Sequence, residues 1–303
     1  MFKYVMTAAA LKAFSCTRST RRLYRMLGNS VGARKRVTGR MPPNYFPRME
    51  RMLAMYDRHG LLKNGGRLLE LGTGWFHWEA MTTRLFYDID AVLFDVWDNR
   101  QFGALKNFFG QLDGMLDRLP EDPDTLARAH ALLAKIQAVQ SWEQLYALLG
   151  FRYMVNESGT LEVVDQGSFD VVVSAGVMEH IHGDIAEKFV QGISDALKPG
   201  GYSFNSINIR DHLFPYDPSV SAKQYLRYGD AVWKCCFDNE VQYINRIQRS
   251  TWLKLFEKAG LELVEEEIQP VDISGLGISN AFRSFDEKDL SCGGLAVLHR
   301  KPF

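Results

Sequence analysis

The chain has 303 residues, of which 46% are hydrophobic and 12% aromatic. A chain of this length and composition can bury a full core, which excludes a largely disordered protein. None of the four cysteines is part of a C-x-x-C spacing, so neither a disulfide framework nor a zinc site is indicated and a reducing, cytoplasmic setting is favoured. No window approaches eighteen uninterrupted apolar residues, so no transmembrane helix is predicted.

The net charge of zero hides an uneven distribution along the chain. Up to Arg48 there are eleven Lys or Arg and no Asp or Glu, whereas the remainder has 25 basic and 36 acidic residues. We call residues 1–48 the basic N-terminal arm. Such a segment is expected to meet a membrane surface, a phosphorylated carrier or a nucleic acid, or to fold back on the acidic body. An organelle transit peptide is a further interpretation.

The spacing of apolar residues predicts secondary structure in chain order. One or two amphipathic basic helices are predicted in residues 1–30, followed by a helix from Met49 to His59. The next predicted elements are strand Leu68–Leu71, helix Trp75–Leu85, strand Ala91–Phe94, helical stretch Gly103–Leu149, strands Phe151–Val155 and Phe169–Val173, a helix from Met178, helix Ile185–Leu197, strand Tyr202–Ile207, an irregular stretch 208–249, helix Thr251–Ala259, and strands Leu261–Ile268 and Gly294–His299. This alternation predicts an α/β fold with a doubly wound, mostly parallel sheet. The helical stretch exceeds one crossover, so a helical insertion is expected at about 103–150.

The segment Arg67–Trp75 has the features of a ligand-binding turn. An apolar run that carries Glu70 ends at Gly72 and Gly74, where the backbone can approach a ligand without a Cβ in the way. Asp95 follows the next strand and can accept hydrogen bonds from ribose hydroxyls. A dinucleotide-binding fingerprint needs a third glycine where this chain has His77. Glu70 places negative charge in the predicted pocket, which suits a cationic ligand better than a diphosphate.

Together with later motifs, these residues resemble the class I S-adenosylmethionine-dependent methyltransferases. The matching motifs are Leu69–Gly74, Asp95, Ser168–Ser174, Met178–Ile181 and Leu197–Gly201. The resemblance covers about residues 60–210 and implies a Rossmann-like sheet with S-adenosylmethionine as cofactor. It also implies that the glycine loop holds the methionine part, the strand-two acid the ribose, and the loop after strand three the adenine. The predicted cofactor-binding residues are Glu70, Gly72, Thr73, Gly74, Trp75, Asp95, Val96, Asn156, Glu157, Ser174, Ala175 and Gly176.

A narrower resemblance lies in residues 208–249. Asp211–Asp217, Tyr225–Tyr228 and Tyr243–Arg246 look like a subgroup associated with bacterial surface polysaccharide synthesis. The methyltransferase domain would then span 49–303, with an acceptor cap at about 208–249. Tyr216, Tyr243, Asn245 and Arg246 are the predicted substrate-binding residues. Aromatic residues in such a loop can equally form a minor core.

Histidines that follow predicted strands are the candidates for acid–base chemistry. Methyl transfer is an in-line displacement, and an alcohol acceptor benefits from a general base. His212, paired with Asp211, is the preferred base and His180 the second candidate; a structural hydrogen bond is the alternative for each. Glu179, His180, His182 and Asp184 do not share one side of a helix, so no metal site is predicted.

The predicted function is O-methylation of a saccharide or glycolipid-linked acceptor by a cytoplasmic enzyme. Its basic N-terminal arm would hold it peripherally at the inner face of an anionic membrane. The alternatives are an RNA or small-molecule methyltransferase and a non-catalytic cofactor-binding scaffold. A nucleic-acid partner is disfavoured because the acidic body has no second basic surface.

Overall fold

A computed structural model describes residues 1–303 as two compact units. The first unit consists of residues 1–28, 175–194 and 204–300, and the second of residues 29–174, 195–203 and 301–303. The elements are α1 (Phe2–Ser15), α2 (Arg18–Thr38), α3 (Tyr45–His59), β1 (Gly66–Leu71), α4 (Trp78–Phe86), β2 (Ile89–Asp95), α5 (Phe102–Asp113), α6 (Pro123–Ala138), α7 (Trp142–Leu149), β3 (Phe151–Val155), β4 (Phe169–Ala175), α8 (Ala186–Ala196), β5 (Leu197–Asn208), α9 (Asp230–Cys236), α10 (Arg249–Lys258), β6 (Glu262–Pro270), α11 (Glu287–Ser291) and β7 (Cys292–Arg300).

The strands form one seven-stranded sheet in the order β3-β2-β1-β4-β5-β7-β6. Strand β1 pairs in parallel with both β2 and β4, and β2 pairs in parallel with β3. Strands β6 and β7 pair antiparallel. The prediction of a doubly wound, mostly parallel sheet is therefore confirmed.

The second unit is built around apolar strands. Leu68, Leu69 and Leu71 of β1 are at most 1% exposed, as expected for a central parallel strand that is covered on both faces. Helix α3 ends at Gly60, whose φ of 58° provides the left-handed C-cap that glycine favours.

The predicted helical insertion consists of three helices, α5, α6 and α7. Asp122 caps α6 by accepting a hydrogen bond from the Thr125 amide, and Pro123 takes the first helical turn. Ser141 caps α7 in the same way through the Gln144 amide. These caps explain why the helical stretch breaks where it does.

The core of the first unit includes the beginning of the chain. Tyr4, Ala8 and Leu11 of α1 belong to a buried cluster that also contains Leu213, Tyr225, Leu226, Trp233, Phe237, Ile244 and Phe282. Much of the aromatic stretch 208–249 therefore forms a core, which was the alternative to an acceptor cap. Within the N-terminal arm, α1 is an integral element of the first unit, and residues 29–48 are counted with the second.

Local backbone geometry shifts two predicted helices. Helix α4 begins at Trp78 because His77 adopts the left-handed conformation with φ of 54°. The helix predicted from Met178 is limited to the single 3₁₀ turn Met178–His180, and α8 begins at Ala186. No helix in the structure combines the length and the apolar character that crossing a membrane requires.

Candidate active site

The loop after β1 has the conformation that its two glycines predict. Gly72 and Gly74 have φ angles of 64° and 60°, which glycine adopts without steric cost. The Gly72 amide donates to the Phe94 carbonyl at 2.8 Å, which fixes the loop on β2. Between the glycines, the hydroxyl of Thr73 is buried and has no hydrogen-bond partner. A polar ligand could therefore approach this backbone closely and bind an unsatisfied hydroxyl.

Asp95 at the end of β2 binds the loop that follows β1. Its Oδ2 accepts a hydrogen bond from the Gly74 amide at 2.9 Å, and its Oδ1 accepts from the amides of Val96 at 2.7 Å and Trp97 at 3.3 Å. Burial raises the pKa of Asp95, and the three N–H groups oppose that shift. A carboxylate can accept about four hydrogen bonds. With three of these positions occupied, Asp95 can accept a hydrogen bond from one ribose hydroxyl. The sequence had led us to expect that it would bind both.

Glu70 contacts the start of α4. Its carboxylate accepts a hydrogen bond from the Ala80 amide at 2.8 Å, and the side chain is 1% exposed. Burial and then the charge of Glu79 raise the pKa of Glu70 well above its usual range. The raised pKa favours the neutral carboxyl, which weakens the expectation that Glu70 supplies negative charge to a cationic ligand. Its role toward a ligand stays a prediction.

Trp75 is held from two sides within the second unit. The Arg36 guanidinium of α2 lies 3.1 Å from the centre of its ring, a cation–π contact. Arg36 also donates to the Gln101 side chain at 3.1 Å, and the Gln101 amide donates to the Trp75 carbonyl at 2.8 Å. The second half of α2 therefore supports the loop after β1.

The loop after β3 is a compact turn. The Asn156 amide donates to the Asp95 carbonyl at 3.0 Å, and its side chain accepts from the Ser158 amide and donates to the Thr160 carbonyl, both at 3.2 Å. Asn156 therefore shapes the loop beside Asp95, whereas Glu157 is exposed. At the end of β4, Ser174 is buried, and Ala175 and Gly176 follow with Gly176 at a φ of 70°.

His77 is a positioning element that the sequence analysis did not identify. Its amide donates to the Thr73 carbonyl at 3.1 Å, and its Nε2 lies 2.9 Å from the Tyr146 hydroxyl of α7. Its fully buried ring is 5.1 Å from the ring of Trp142 and 5.4 Å from that of Tyr153. Burial lowers the pKa of His77 to about 3, so the ring is neutral. The helical insertion is thereby connected to the glycine loop.

In the first unit, two histidines lie beside a buried carboxyl. The rings of His180 and His212 are 5.0 Å apart, and the ligand atoms of Glu179, His180 and His212 lie within 4.8 Å of one another. The His180 Nδ1 lies 2.7 Å from the Tyr243 carbonyl, which can only accept, so Nδ1 carries the proton and Nε2 the lone pair. The Asn208 side-chain NH₂ donates a hydrogen bond to the His212 Nε2 at 3.2 Å, so in the neutral His212 ring Nε2 is the acceptor and Nδ1 carries the proton.

The electrostatics of this cluster keep both rings neutral. Burial, followed by the neighbouring His180, lowers the pKa of His212 to about 4, and burial also lowers the pKa of His180. Burial raises the pKa of Glu179 to about 8. The Oε2 atom of Glu179 has no hydrogen-bond partner. The cluster therefore combines two neutral imidazoles, each with its lone pair on Nε2, with a carboxyl group that favours its neutral form at pH 7; the His212 lone pair accepts from Asn208.

Asp211 does not have the position that was predicted for a partner of His212. Its Oδ2 accepts a hydrogen bond from the Tyr4 hydroxyl at 2.7 Å, and its Oδ1 accepts from the Leu213 amide at 2.9 Å. The side chain is 1% exposed, and burial raises its pKa to about 6. Because both oxygens are used inside the core, the structure corrects the prediction that Asp211 orients His212.

A narrow cleft in the first unit brings polar side chains together. Its lining includes Glu179, Asn208, Arg210, Asn245 and Arg246. Besides the Glu179 Oε2, the Nε of Arg210 is buried without a hydrogen-bond partner. Buried polar groups are normally paired with protein, water or a ligand, so these two atoms need a hydrogen-bond donor and acceptor from outside the protein, such as water or a polar group of a ligand.

Comparison with known proteins decides the family. A family model described as a methyltransferase domain matches residues 40–266. The chain belongs to this methyltransferase family. An S-adenosylmethionine-dependent enzyme, as the motifs indicated, is thereby confirmed. No curated protein matches the methyltransferase.

Solved structures with similarity to the methyltransferase share little sequence with it. Haemonchus contortus phosphoethanolamine N-methyltransferase 2 in complex with S-adenosyl-L-methionine is 15% identical; the match covers 90% of this chain and 57% of that one, with a TM-score of 0.49. A methyltransferase from Methanosarcina mazei is 13% identical, with 82% and 97% covered and a TM-score of 0.49. Burkholderia thailandensis 1,6-didemethyltoxoflavin-N1-methyltransferase is 14% identical, with 83% and 76% covered and a TM-score of 0.44.

The second unit of the methyltransferase fits the cofactor. The loop glycines allow close backbone approach, the Thr73 hydroxyl is unsatisfied, and Asp95 keeps one acceptor position. These residues would hold the methionine part and the ribose of S-adenosylmethionine.

The four residues predicted to bind substrate have partners inside the first unit. Asn245 donates to the carbonyls of Met178 at 2.8 Å and Ile181 at 2.9 Å, so it fixes the turn that carries Glu179. Arg246 binds Asp230 at 2.7 Å and lies over the ring of Trp233. The Tyr243 ring stacks on His182 at 4.1 Å, and the exposed Tyr216 accepts a hydrogen bond from Gln242 at 2.8 Å. Asn245 and Arg246 also line the cleft, and a role in substrate binding stays a prediction for all four.

Proposed function

We propose that the methyltransferase methylates a hydroxyl group of a saccharide or lipid-linked acceptor, with His212 as general base. The observation that carries this proposal is the pair of neutral histidines, His180 and His212, beside the Glu179 carboxyl, whose Oε2 has no hydrogen-bond partner. A hydroxyl nucleophile must lose a proton during methyl transfer, and a positioned base contributes roughly 10²–10⁴-fold to the rate. An imidazole that is neutral at pH 7 is ready to accept that proton.

When bound by the loop after β1 and Asp95, S-adenosylmethionine would supply an electrophilic methyl group for the acceptor oxygen, with S-adenosylhomocysteine as the leaving group. In this proposal, the acceptor hydroxyl replaces the Asn208 amide at the His212 Nε2, and His212 takes the acceptor's proton there and later releases it to solvent. Glu179, as a neutral carboxyl, can donate a hydrogen bond to another acceptor oxygen, and Arg210 can donate through its unpartnered Nε. Two donors beside a proton acceptor suit a ligand with several hydroxyl groups.

Association with an anionic membrane is the second part of the proposal. The basic N-terminal arm provides eleven Lys or Arg and no acidic residue, and each basic side chain close to an anionic surface contributes about 1 kcal/mol. A lipid-linked acceptor would be presented at such a surface. The proposed place of action is the inner face of the membrane.

The test is to incubate the protein with S-adenosylmethionine carrying a labelled methyl group and a cell-envelope fraction or a cytosolic extract. Label in a saccharide or lipid-linked product of the envelope fraction, lost in His212→Ala, supports the proposal. Label confined to RNA or to a soluble small molecule would replace the proposed acceptor class. If methyl transfer requires an added divalent cation and a chelator abolishes it, the cluster of Glu179, His180 and His212 is a metal-binding site. That result would overturn the role of His212 as general base.

A further inference from the structure

Helix α1 is apolar on two opposite faces. Tyr4, Ala8 and Leu11 form its buried face. The other face, about 150° away around the helix, is exposed and consists of Phe2, Val5, Met6, Ala9 and Ala13. Phe2 is 78% exposed and Met6 54%. The apolar side chains of this outer face are therefore suited to an apolar environment that the first unit itself does not supply.

Helix α2 also has an exposed apolar face, in its first half, and it carries exposed basic residues. Leu23, Met26 and Leu27 share one face and are exposed by 43%, 59% and 49%. None of the side chains of α2 is buried. Arg22, Arg34 and Lys35 are also exposed, and the helix has no acidic residue. An amphipathic helix that combines an exposed apolar face with exposed basic side chains is typical of segments that lie in a membrane interface.

We propose that α1 and α2 insert their exposed apolar side chains into the acyl-chain boundary of an anionic bilayer while their basic side chains contact the lipid headgroups. The inference rests on the membrane part of the proposed function and adds an insertion step to it. The occupant is an anionic bilayer because charge and apolar area coincide on the same helices. Insertion predicts that high salt weakens vesicle binding without abolishing it, since salt screens the headgroup contacts and leaves apolar burial intact.

The test uses the full chain with phosphatidylcholine vesicles that contain or lack phosphatidylglycerol. Val5→Asp with Met6→Asp, and separately Leu23→Asp with Met26→Asp, should each lower vesicle partitioning by about tenfold or more, because a charge resists burial in the acyl region. The matched control is Leu263→Asp on β6, where an equally exposed apolar residue, 47% exposed, is replaced. The control should bind vesicles like the unsubstituted chain. An unchanged urea unfolding curve for each variant will show that it is folded.

A second measurement reports insertion directly. Met6→Cys is labelled with a fluorophore in a chain whose exposed Cys16, Cys235 and Cys236 are replaced by Ser. Quenching by lipids that carry a quencher on the acyl chain supports insertion. If the Asp variants bind normally while Arg22→Gln with Lys35→Gln does not, adsorption is by charge alone and insertion is overturned, although membrane association stands.

Two other outcomes also overturn the inference. Absence of vesicle binding by the unsubstituted chain would remove both insertion and the membrane part of the proposed function, whereas the methyl-transfer part would be unaffected. Light scattering that shows a dimer lost in the Asp variants, without vesicle binding, would assign the apolar faces to a second copy of the chain.

Discussion

The hydroxyl of Tyr4 donates a 2.7 Å hydrogen bond to the carboxylate of Asp211, which lies 207 residues further along the chain. Both side chains are buried, at 0% and 1% exposure. The bond connects the first turn of α1 to the loop after β5. It also explains why Asp211, although adjacent to His212 in sequence, is a structural residue of the first unit.

Removing the Tyr4 hydroxyl should therefore affect folding more than chemistry. Tyr4→Phe leaves a buried carboxylate oxygen without its donor, and the free energy of unfolding should fall by about 1–3 kcal/mol. Cofactor affinity should not change. Urea unfolding and calorimetry provide the two measurements, with Tyr216→Phe as the exposed control. Unchanged stability combined with a large loss of kcat would instead place this pair in catalysis.

Asp95→Asn should weaken S-adenosylmethionine binding by about tenfold or more. The amide removes one acceptor oxygen from a group that binds the Gly74 and Val96 amides, and hydrogen bonds to a charged group contribute about 1.5–3 kcal/mol each. Asp90→Asn on the same strand is the control because Asp90 is exposed. Equal Kd values for Asp95→Asn and the unsubstituted chain would exclude Asp95 from cofactor binding.

His77 should be more tolerant of Asn than of Ala. A left-handed residue other than glycine costs about 1–2 kcal/mol, and Asn adopts this conformation more readily than Ala. His77→Ala also loses the packing against Trp142 and the contact with Tyr146. We expect cofactor affinity to fall by about tenfold in His77→Ala and to be largely kept in His77→Asn, by calorimetry. Tyr146→Phe removes the hydrogen bond to His77 and so measures its contribution to cofactor affinity. Normal affinity in His77→Ala would show that the contact with the helical insertion does not affect the glycine loop.

His212→Ala should lower kcat by about 10²–10⁴-fold while cofactor affinity is kept. Because the pKa of His212 is about 4, its ring is already neutral at pH 6, so kcat should be level from pH 8 to 6 and decline only as the pH approaches 4. His130→Ala, in the second unit, is the control. A rate that rises through pH 6–7 would indicate a base with an ordinary pKa.

Glu179 should make the protein less stable as the pH rises. Its pKa is about 8 in the folded chain, above the usual value of 4.5, so the folded state binds more protons than the unfolded state between these values and unfolding becomes easier with increasing pH. Glu179→Gln should reduce this slope between pH 5 and 8, a difference of a few kcal/mol. Urea unfolding of both proteins at pH 5 and pH 8 measures this difference. The same pH dependence of stability in Glu179→Gln and the unsubstituted chain would show that Glu179 does not have a raised pKa.

Features encoded by neighbouring residues could be predicted from the sequence. The apolar strands, the glycine loop and Asp95 follow from local patterns, and the structure forms the predicted sheet with both loop glycines at positive φ. Contacts between distant residues could not be predicted. The Tyr146 hydroxyl lies 69 residues from its partner His77. The absence of a third glycine at position 77 did not indicate that the His77 ring packs against aromatic side chains of the insertion.

The histidine cluster shows a limit of a different kind. Within one helix, the spacing of Glu179, His180, His182 and Asp184 predicts no metal site. The structure has only a single turn there and brings His212 to Glu179 and His180 instead. Sequence adjacency likewise suggested Asp211 as the partner of His212. In the structure, buried Asp211 instead accepts a hydrogen bond from Tyr4, which the fold brings close to it.

The participation of α1 in the core of the first unit has a consequence for biosynthesis. Its buried cluster joins residue 4 to residue 282, so this core cannot close until almost the whole chain has left the ribosome. At about 5–20 residues per second, that takes roughly 15–60 s. During this time the apolar side chains of α1 have no core to enter. A chaperone or a lipid surface that binds α1 early would protect the nascent chain from aggregation.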